Sequence, residues 1–339
     1  MQQLTFAGAA QLVWDDVPEP ELSSGADALV RPVAVATCDL DAAVMSGRAP
    51  LPGPFAFGHE FVADVMSVGD AVTTVRAGDR VIVPFQVSCG ACDFCRRGLT
   101  ASCATAGAGA AYGMAPIARQ EWGGALSDCV RVPYADAMLV PLPAGLDPAS
   151  VASVSDNVPD GWRAVAPPLA RRPGEPVLVV GGAGDVALYA VAVAVALESE
   201  QVDYVDVDPR RLAVAERLGA RAIEKPVDGN RLGRYSITVD HSGDVAGLHS
   251  ALRSTEPEGS CTSTAIYFAP ETALPLLEMY TRGVEFRTGR VNARAAIPRV
   301  LDLVEAGRLH PELVTSATVQ WDDAPTALAD LTAKTVIVR

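Results

Sequence analysis

The sequence predicts an α/β protein in which a doubly wound parallel sheet is joined to a domain of short antiparallel β-strands. Three observations lead to this fold class. Four of the seven cysteines lie within fifteen residues, from position 89 to position 103. A glycine-rich turn at residues 181–187 directly follows an apolar run. After residue 147, short β-branched runs give way to alternating helix-like and strand-like segments, as in a parallel sheet covered on both faces.

The first region contains β-branched runs separated by glycine, proline and aspartate, a pattern that predicts short antiparallel strands. The predicted strands are residues 29–35, 61–68, 80–83, 126–132 and 138–141. Turns are predicted at residues 52–54 and 77–79, and the region ends near residue 145.

The cysteine cluster has the spacing of a closed zinc site. Its members are Cys89, Cys92, Cys95 and Cys103. Two residues between cysteines let one tight turn direct two sulfurs at a single ion, and the last cysteine completes the tetrahedron. Because four sulfurs leave no position for a substrate, we predict structural zinc in a lobe at residues 88–104. Chance clustering, disulfides and a zinc-ribbon nucleic-acid module are the alternatives, and the formal net charge of -14 disfavours the last.

The second region predicts the parallel sheet. Strands are predicted at residues 177–180, 202–207, 236–239 and 260–268, and helices from Asp185 onwards and at residues 271–282 and 295–306. The chain then ends in an apolar strand at residues 335–338, whose pairing partner the sequence leaves open.

The glycine-rich turn fits the pattern G-x-G-x-x-(G/A), with Gly182, Gly184 and Ala187 at the three fixed positions. The first glycine permits a tight turn, the second lets a pyrophosphate approach the backbone, and the small third residue lets the helix pack on the strand. The helix N-terminus would then face the phosphates. A glycine turn without a cofactor is the alternative.

Asp206 stands at the end of the next predicted strand, at the distance where a carboxylate meets the ribose hydroxyls. A 2′-phosphate would be repelled there, so the sequence favours NAD. Arg210 and Arg211 would favour NADP, but they lie in the first turn of a predicted helix and are expected to be solvated.

A second metal site is expected because the first one is closed. Cys38 lies outside the cluster, and His59 is one of only four histidines. A catalytic zinc needs about three protein ligands and an open position, and the segment Ser155-Asp156-Asn157, at the domain junction, is the natural source of the third ligand. On the residues alone, a buried core cysteine and an ordinary histidine are the simpler explanation of positions 38 and 59.

The bulk composition is that of an ordinary globular protein, with 49% hydrophobic and 20% charged residues. The 41 acidic residues exceed the 27 basic ones, which opposes binding to nucleic acid or an anionic membrane and favours small-molecule chemistry. The first residues lack the pattern of a signal peptide, and the apolar window at residues 187–197 is too short to span a bilayer. We therefore expect a cytoplasmic protein.

The chain resembles the zinc-containing alcohol dehydrogenases of the medium-chain dehydrogenase/reductase family along nearly its whole length. The resemblance rests on Cys38, Gly58-His59-Glu60, the cysteine lobe, Ser155-Asp156 ahead of Gly161-Trp162, the nucleotide turn and residues 206–212. It implies a GroES-like catalytic domain formed by residues 1–145 and 290–339, with a Rossmann NAD-binding domain at residues 146–289. Family members are commonly dimers or tetramers, so a homodimer or homotetramer is expected.

The resemblance also implies roles for the residues of the second metal site. Cys38, His59 and Asp156 match the ligands of the family's catalytic zinc. Glu60 matches a neighbouring acid that enters or leaves the coordination sphere, and Asp41 matches a carboxylate bonded to the histidine ligand. The implied cofactors are two zinc ions per chain and NAD.

On the cofactor side, the resemblance matches Val186, Asp206 and Arg211 to nucleotide contacts, with Arg211 near the adenine. The expected reaction is hydride transfer between NAD and an alcohol, either a secondary alcohol or a polyol, with zinc activating the hydroxyl group.

The sequence differs from the family at the residues that carry the proton of the substrate alcohol to solvent. Members carry a hydroxyl residue and a histidine at the positions of Leu40 and Ala43, and a threonine is common at the position of Asp160. Asp39, Asp160 or a water chain are the candidate substitutes. The departure keeps open a carbonyl or imine reductase that takes its proton from solvent, and a zinc-stabilised NAD-binding protein without catalysis.

Overall fold

A computed structural model describes residues 1–107, 109–118 and 121–339, and the chain divides into two units. The first unit comprises Met1–Asp156, Asn292–Glu305 and Thr315–Arg339. The second unit comprises Asn157–Val291 and Ala306–Val314.

The first unit is built from short, mainly antiparallel strands, as the spacing of its β-branched runs predicts. Its strands are β1 (Gln2–Gly8), β2 (Gln11–Asp16), β3 (Ala28–Ala36), β4 (Phe55–Ala56), β5 (Glu60–Val68), β6 (Arg80–Val83), β7 (Val130–Val132), β8 (Val140–Pro141), β15 (Ala317–Gln320) and β16 (Thr335–Val338). The larger sheet has the order β15-β16-β3-β5-β6-β8, with β7 also paired to β3, and the smaller has the order β2-β1-β4. The C-terminal apolar strand therefore lies next to β3.

The helices of the first unit are α1 (Asp39–Met45), α2 (Asp93–Arg96), α3 (Ala115–Ala118), α4 (Ala135–Met138), α5 (Pro148–Val151), α11 (Ala293–Glu305) and α12 (Ala324–Ala329). Most of these helices have four to seven residues, and α11, with 13, is the exception. A 3₁₀ turn at Ala152–Ser155 packs against β5 and keeps Asp156 with this unit, whereas the sequence-based division falls at residue 145. The core is formed by apolar side chains that include Leu4, Phe6, Phe57, Phe61, Tyr112 and Leu126.

The register of β3 brings three distant segments to one end of the larger sheet. Ala36 of β3 lies opposite Glu60 of β5, and Val336 of β16 also lies opposite Ala36. The residues that follow β3, open β5 and precede β16 are therefore neighbours.

The second unit contains one six-stranded sheet in which every described pair is parallel. Its strands are β9 (Val177–Val180), β10 (Val202–Asp206), β11 (Arg221–Glu224), β12 (Tyr235–Asp240), β13 (Thr255–Ser263) and β14 (Glu285–Arg287). The order β11-β10-β9-β12-β13-β14 reverses direction next to β9, so the carboxyl ends of β9 and β12 mark a topological switch point. This sheet confirms the predicted doubly wound α/β fold.

The helices of this unit are α6 (Asn157–Arg171), α7 (Val186–Ala196), α8 (Pro209–Arg217), α9 (Val245–Ser254) and α10 (Leu276–Arg282). Helix α7 is apolar on every side, and all but one of its residues are buried. A helix that is apolar on every side is stable only when other elements bury it on all sides. No helix in the described ranges is long and apolar enough to cross a membrane.

Several predicted elements differ from the structure. Of residues 126–132 only Val130–Val132 form a strand, and the segment 138–141 begins as the end of helix α4. Strand β13 ends at Ser263, and helix α10 begins only at Leu276 because Pro275 precedes it.

Candidate metal centres and nucleotide-binding turn

Four side chains with metal-binding atoms meet at the end of the larger sheet. Cys38 caps helix α1, His59 and Glu60 stand at the start of β5, and Asp156 follows the 3₁₀ turn. One ligand atom from each lies within 4.8 Å of all the others. Zinc bonds of about 2.0–2.3 Å at tetrahedral angles place ligand atoms about 3.3–3.8 Å apart. His59 Nε2 lies 3.5 Å from Asp156 Oδ2, which is the spacing of two ligands on one ion.

The buried polar atoms of this cluster leave bonding capacity unused. Both ring nitrogens of His59 and Oε1 of Glu60 are buried, and none has a hydrogen-bond partner among the residues that the structure describes. Unsatisfied buried polar atoms are costly, and a group of them calls for a missing partner. A divalent cation bound here would satisfy Nε2 and pair with the surrounding carboxylates, so the residues fit the zinc site that the sequence predicts.

Asp41 orients the histidine, as the resemblance implies. Its Oδ1 lies 3.4 Å from His59 Nδ1, and its Oδ2 accepts a hydrogen bond from the Cys38 amide at 2.8 Å. Burial alone would lower the pKa of His59, but the carboxylates of Asp41 and Asp156 outweigh burial and raise it well above its ordinary value. With Nδ1 turned to Asp41, Nε2 is the nitrogen that faces the cluster.

The charge of the cluster also fits a cation. Burial raises the pKa of the Cys38 thiol to about 12, and burial likewise raises the pKa of Glu60 well above its ordinary value despite the opposing charge of Lys334. A divalent ion bound here would favour the deprotonated forms of both groups, because thiolate and carboxylate are the ligating forms.

Lys334 is a member of this site that the sequence analysis misses. Its Nζ donates a hydrogen bond to Glu60 Oε2 at 2.9 Å and another to the backbone oxygen of Thr37. The side chain is almost fully buried. Its only signal in the sequence is its place before the apolar run of β16, and nothing local connects it with Glu60, 274 positions away.

We expect Lys334→Met to lower the free energy of unfolding by about 3 kcal/mol, because breaking a buried ion pair leaves an uncompensated charge. Urea unfolding of the zinc-loaded protein measures the change. The chain has one other lysine, Lys225, which is exposed, and Lys225→Met is the matched control with an expected change below about 0.5 kcal/mol. Equal effects of the two substitutions would contradict a structural role for the pair.

The four cysteines of the lobe also come together. Their sulfurs lie within 4.8 Å of one another. Backbone amides point at these sulfurs: the Cys92 amide donates to Cys89 Sγ at 3.4 Å, and the amides of Cys89 and Ala106 donate to Cys103 Sγ at 3.3 Å. Amide hydrogen bonds from Cys95 and Ala104 lower the pKa of Cys92 to about 6. Such donors stabilise thiolates, so the lobe fits the predicted structural zinc.

The nucleotide turn has the predicted position between β9 and helix α7, with Val186 and Ala187 buried in the first turn of the helix. Gly182 has a φ of +133°, a conformation that favours glycine, and it is exposed. A Cβ on Gly181 would lie 2.3 Å from the Tyr204 hydroxyl, so no side chain fits there. The turn is therefore an open backbone surface at the switch point, which fits a dinucleotide pyrophosphate.

Asp206 ends β10 as predicted, but its carboxylate is engaged by its own chain. Arg211 donates two hydrogen bonds, from Nε at 2.7 Å and Nη2 at 2.9 Å, and the Tyr204 hydroxyl donates a third at 2.6 Å. The amides of Val207 and Asp208 add two more. Burial alone would raise the pKa of Asp206, but the bonds from Arg211 and Tyr204 outweigh it and lower the pKa. A ribose would therefore share these oxygens with Arg211.

The prediction that both arginines are solvated is wrong for Arg211, whose side chain is 12% exposed, while Arg210 is 33% exposed and is also paired. Arg211 binds Asp206, and Arg210 binds Asp185 of the nucleotide turn through two contacts of 2.7 and 3.1 Å. Helix α8 begins at Pro209 with Asp208 as its cap, and this start directs both guanidinium groups back towards the ends of β9 and β10.

Leu40 and Ala43, which replace the hydroxyl residue and the histidine of the family's proton relay, are part of the apolar packing of the first unit. Leu40 packs against the core of the first unit, and Ala43 is buried in it. Asp160, one candidate substitute, pairs with Arg163 in helix α6. The ring of Phe85 lies 5.8 Å from the His59 ring and adds a further apolar wall to the metal site.

Comparison with known proteins decides the family. The alcohol dehydrogenase GroES-like domain matches residues 24–144. A medium chain reductase/dehydrogenase of Acremonium sp is 34% identical over 290 residues, which cover 81% of this chain and 96% of the relative. The chain belongs to the zinc-type alcohol dehydrogenases of the medium-chain dehydrogenase/reductase family. It is thus an oxidoreductase of the class that acts on alcohols with a nicotinamide cofactor.

Two further similarities bear on this family. An alcohol dehydrogenase from Thermus sp. superimposes with a TM-score of 0.90 at 30% identity, covering 100% of this chain and 99% of that one. An L-threonine 3-dehydrogenase of Chelativorans sp. is 31% identical over 75% of this chain and 72% of its own length. The structural match extends over the Rossmann cofactor domain as well as the GroES-like domain.

Proposed function

We propose that the protein is a zinc-dependent oxidoreductase that transfers hydride between NAD and an alcohol, either a secondary alcohol or a polyol. The observation that carries this proposal is the cluster of Cys38, His59 and Asp156, with the buried and unsatisfied Nε2 of His59 facing it. The L-threonine 3-dehydrogenase among the relatives supports the alcohol class, because carbon 3 of threonine carries a secondary hydroxyl group.

The residues of the cluster have separate tasks in this reaction. Cys38, His59 and Asp156 would hold the ion, and two anionic ligands beside a neutral imidazole balance its double charge. Zinc bound there supplies a Lewis acid that favours the deprotonated form of an alcohol and polarises a carbonyl. Asp41 fixes the imidazole, and Lys334 holds Glu60 in place beside the ligands.

The proposed preference for NAD rests on the negative charge at the carboxyl end of β10, where the adenosine ribose of the cofactor is expected to bind. Arg211 contacts Asp206 at 2.7 Å and Asp208 at 3.2 Å, so two carboxylates surround one guanidinium. The group carries a formal net charge of about −1. A 2′-phosphate brought to this place meets repulsion and an arginine whose hydrogen bonds are already used, whereas the ribose diol of NAD brings no charge.

We expect Asp206→Ala to lower the ratio of kcat/KM for NAD over NADP by about tenfold or more, because it removes the repelling carboxylate and frees Arg211 for a phosphate. Asp203→Ala is the matched control, since Asp203 lies on the same strand, is buried and is paired with Arg221, but is not at the strand end. Initial rates with both cofactors measure the ratio. A wild-type protein that already prefers NADP would contradict the assignment.

Leu40 and Ala43 cannot carry a proton. Their presence favours a second candidate, a carbonyl or imine reductase that receives its proton from solvent by a non-standard path. A panel of alcohols with NAD and a panel of ketones and imines with NADH, both with zinc-loaded protein, separate the two. The primary proposal expects NADH formation with secondary alcohols or polyols. Turnover of imines alone would favour the reductase, and bound NAD without any turnover would favour a non-catalytic NAD-binding protein.

We also propose that the protein forms a homodimer or homotetramer. Strand β14 ends the order of the six-stranded sheet, and its outer edge has no partner among the described strands. Leu276, Leu277 and Tyr280 of the neighbouring helix α10 are exposed. An unpaired edge beside apolar side chains favours association with a second copy, and the mass in solution tests this proposal.

A further inference from the structure

An acid lies inside the nucleotide turn, where the proposed cofactor brings its phosphates. Asp185 precedes helix α7, and its side chain is only 3% exposed. Its carboxylate makes no capping hydrogen bond to the described first turn of the helix. Instead it binds the guanidinium of Arg210, with Oδ1 2.7 Å from Nη2 and Oδ2 3.1 Å from Nη1.

This carboxylate opposes the ligand that the rest of the turn fits. Helix N-termini and exposed backbone amides attract anions, and the eleven residues of α7 start directly after Asp185. A negative charge fixed at the same place weakens that attraction and repels a pyrophosphate. The turn can serve a dinucleotide only if something cancels the charge of Asp185.

Arg210 is positioned by its own helix to do so. Pro209 opens helix α8, and the Asp208 side chain accepts hydrogen bonds from the amides of Arg210 at 2.8 Å and Arg211 at 3.2 Å. The capped first turn sends the two adjacent side chains to different acids, Arg211 to Asp206 and Arg210 to Asp185. The second pair therefore joins the nucleotide turn to α8.

We propose that Arg210 is a positioning residue for the cofactor, which neutralises Asp185 and ties the glycine turn to helix α8 so that the turn accepts a dinucleotide pyrophosphate. This inference rests on the proposed function, because it concerns the same cofactor. An ion pair that only stabilised the start of helix α7 would have a different signature. Removing Arg210 would then lower the stability and leave the ligand affinity unchanged.

The test is a double-mutant cycle on the full chain, with ADP-ribose as the charged probe and adenosine as the neutral one. We expect Arg210→Gln to raise the Kd for ADP-ribose by about tenfold or more and the Kd for adenosine by less than about twofold. Asp185→Asn should leave the ADP-ribose affinity unchanged or tighter. The double variant should return to within about threefold of the wild type, because neither charge remains.

Arg221→Gln is the matched control, since Arg221 pairs with buried Asp203 in the same sheet but away from the turn. It should lower the Tm and leave the affinities for both probes unchanged. Equal weakening of ADP-ribose and adenosine by Arg210→Gln, or a double variant as weak as Arg210→Gln, would overturn the inference and leave the proposed function intact. A wild-type protein that binds neither NAD, NADP nor ADP-ribose would overturn the proposed function itself.

Discussion

Replacing His59 by alanine should reduce kcat for alcohol oxidation by about a thousandfold or more. The substitution removes the nitrogen ligand from a site that holds only three proposed protein ligands, Cys38, His59 and Asp156. Loss of the Lewis acid takes several kcal/mol of charge stabilisation from the transition state, and three orders of magnitude correspond to about 4 kcal/mol. Rates of NADH formation measure the effect.

The control for this substitution is His310→Ala. His310 belongs to the second unit, is exposed and contacts Glu312 at 3.1 Å. Its replacement should leave kcat within about twofold of the wild type. A His59→Ala protein that folds, loses one zinc and still oxidises alcohols at the wild-type rate would show that the chemistry takes place without this cluster.

Cys103→Ser should have the largest effect on stability. Cys103 is buried, and its sulfur accepts two amide hydrogen bonds within the lobe. Binding free energy of a structural zinc is folding free energy, so we expect the variant to lose one zinc per chain and at least about 3 kcal/mol of stability. Zinc content and urea unfolding measure the two changes.

Cys129→Ser is the matched control for the lobe, because Cys129 is buried in the same unit but belongs to neither cluster. It should keep its full zinc content. Folded Cys103→Ser protein should also keep most of its turnover per bound catalytic zinc. If Cys103→Ser abolished turnover while leaving stability unchanged, the division between a structural and a catalytic site would be wrong.

The fold could be predicted from the sequence because its signals are local. The spacing of the β-branched runs and the turn between β9 and α7 indicate the two kinds of sheet. The strands β1 and β2 were not predicted, because the alternation at residues 4–6 and the apolar run at residues 12–14 are each only three residues long. Strand pairing also stayed open, since the partner of residues 335–338 depends on contacts with β3, about 300 positions away.

The candidate site was predictable where a residue type limits its own chemistry. Cysteine and histidine are common metal ligands, so Cys38 and His59 were candidates among 339 residues, but core packing explained them more simply until the family resemblance assigned them to the metal. Lys334 and Arg210 gave no such signal, because charged residues are usually solvated and only tertiary structure turns them inward. The sequence therefore did not predict the ion pairs beside the metal cluster and the nucleotide turn, Lys334–Glu60 and Arg210–Asp185.

Whether Cys38, His59 and Asp156 bind zinc is decided by the zinc content per chain of the wild type and of the His59→Ala variant, determined by elemental analysis after removal of loosely bound metal. We expect two zinc ions in the wild type and one in the variant, with the remaining ion in the cysteine lobe. One ion per chain in both proteins would show that Cys38, His59 and Asp156 hold no metal, and the proposed hydride transfer at a zinc centre would then be wrong.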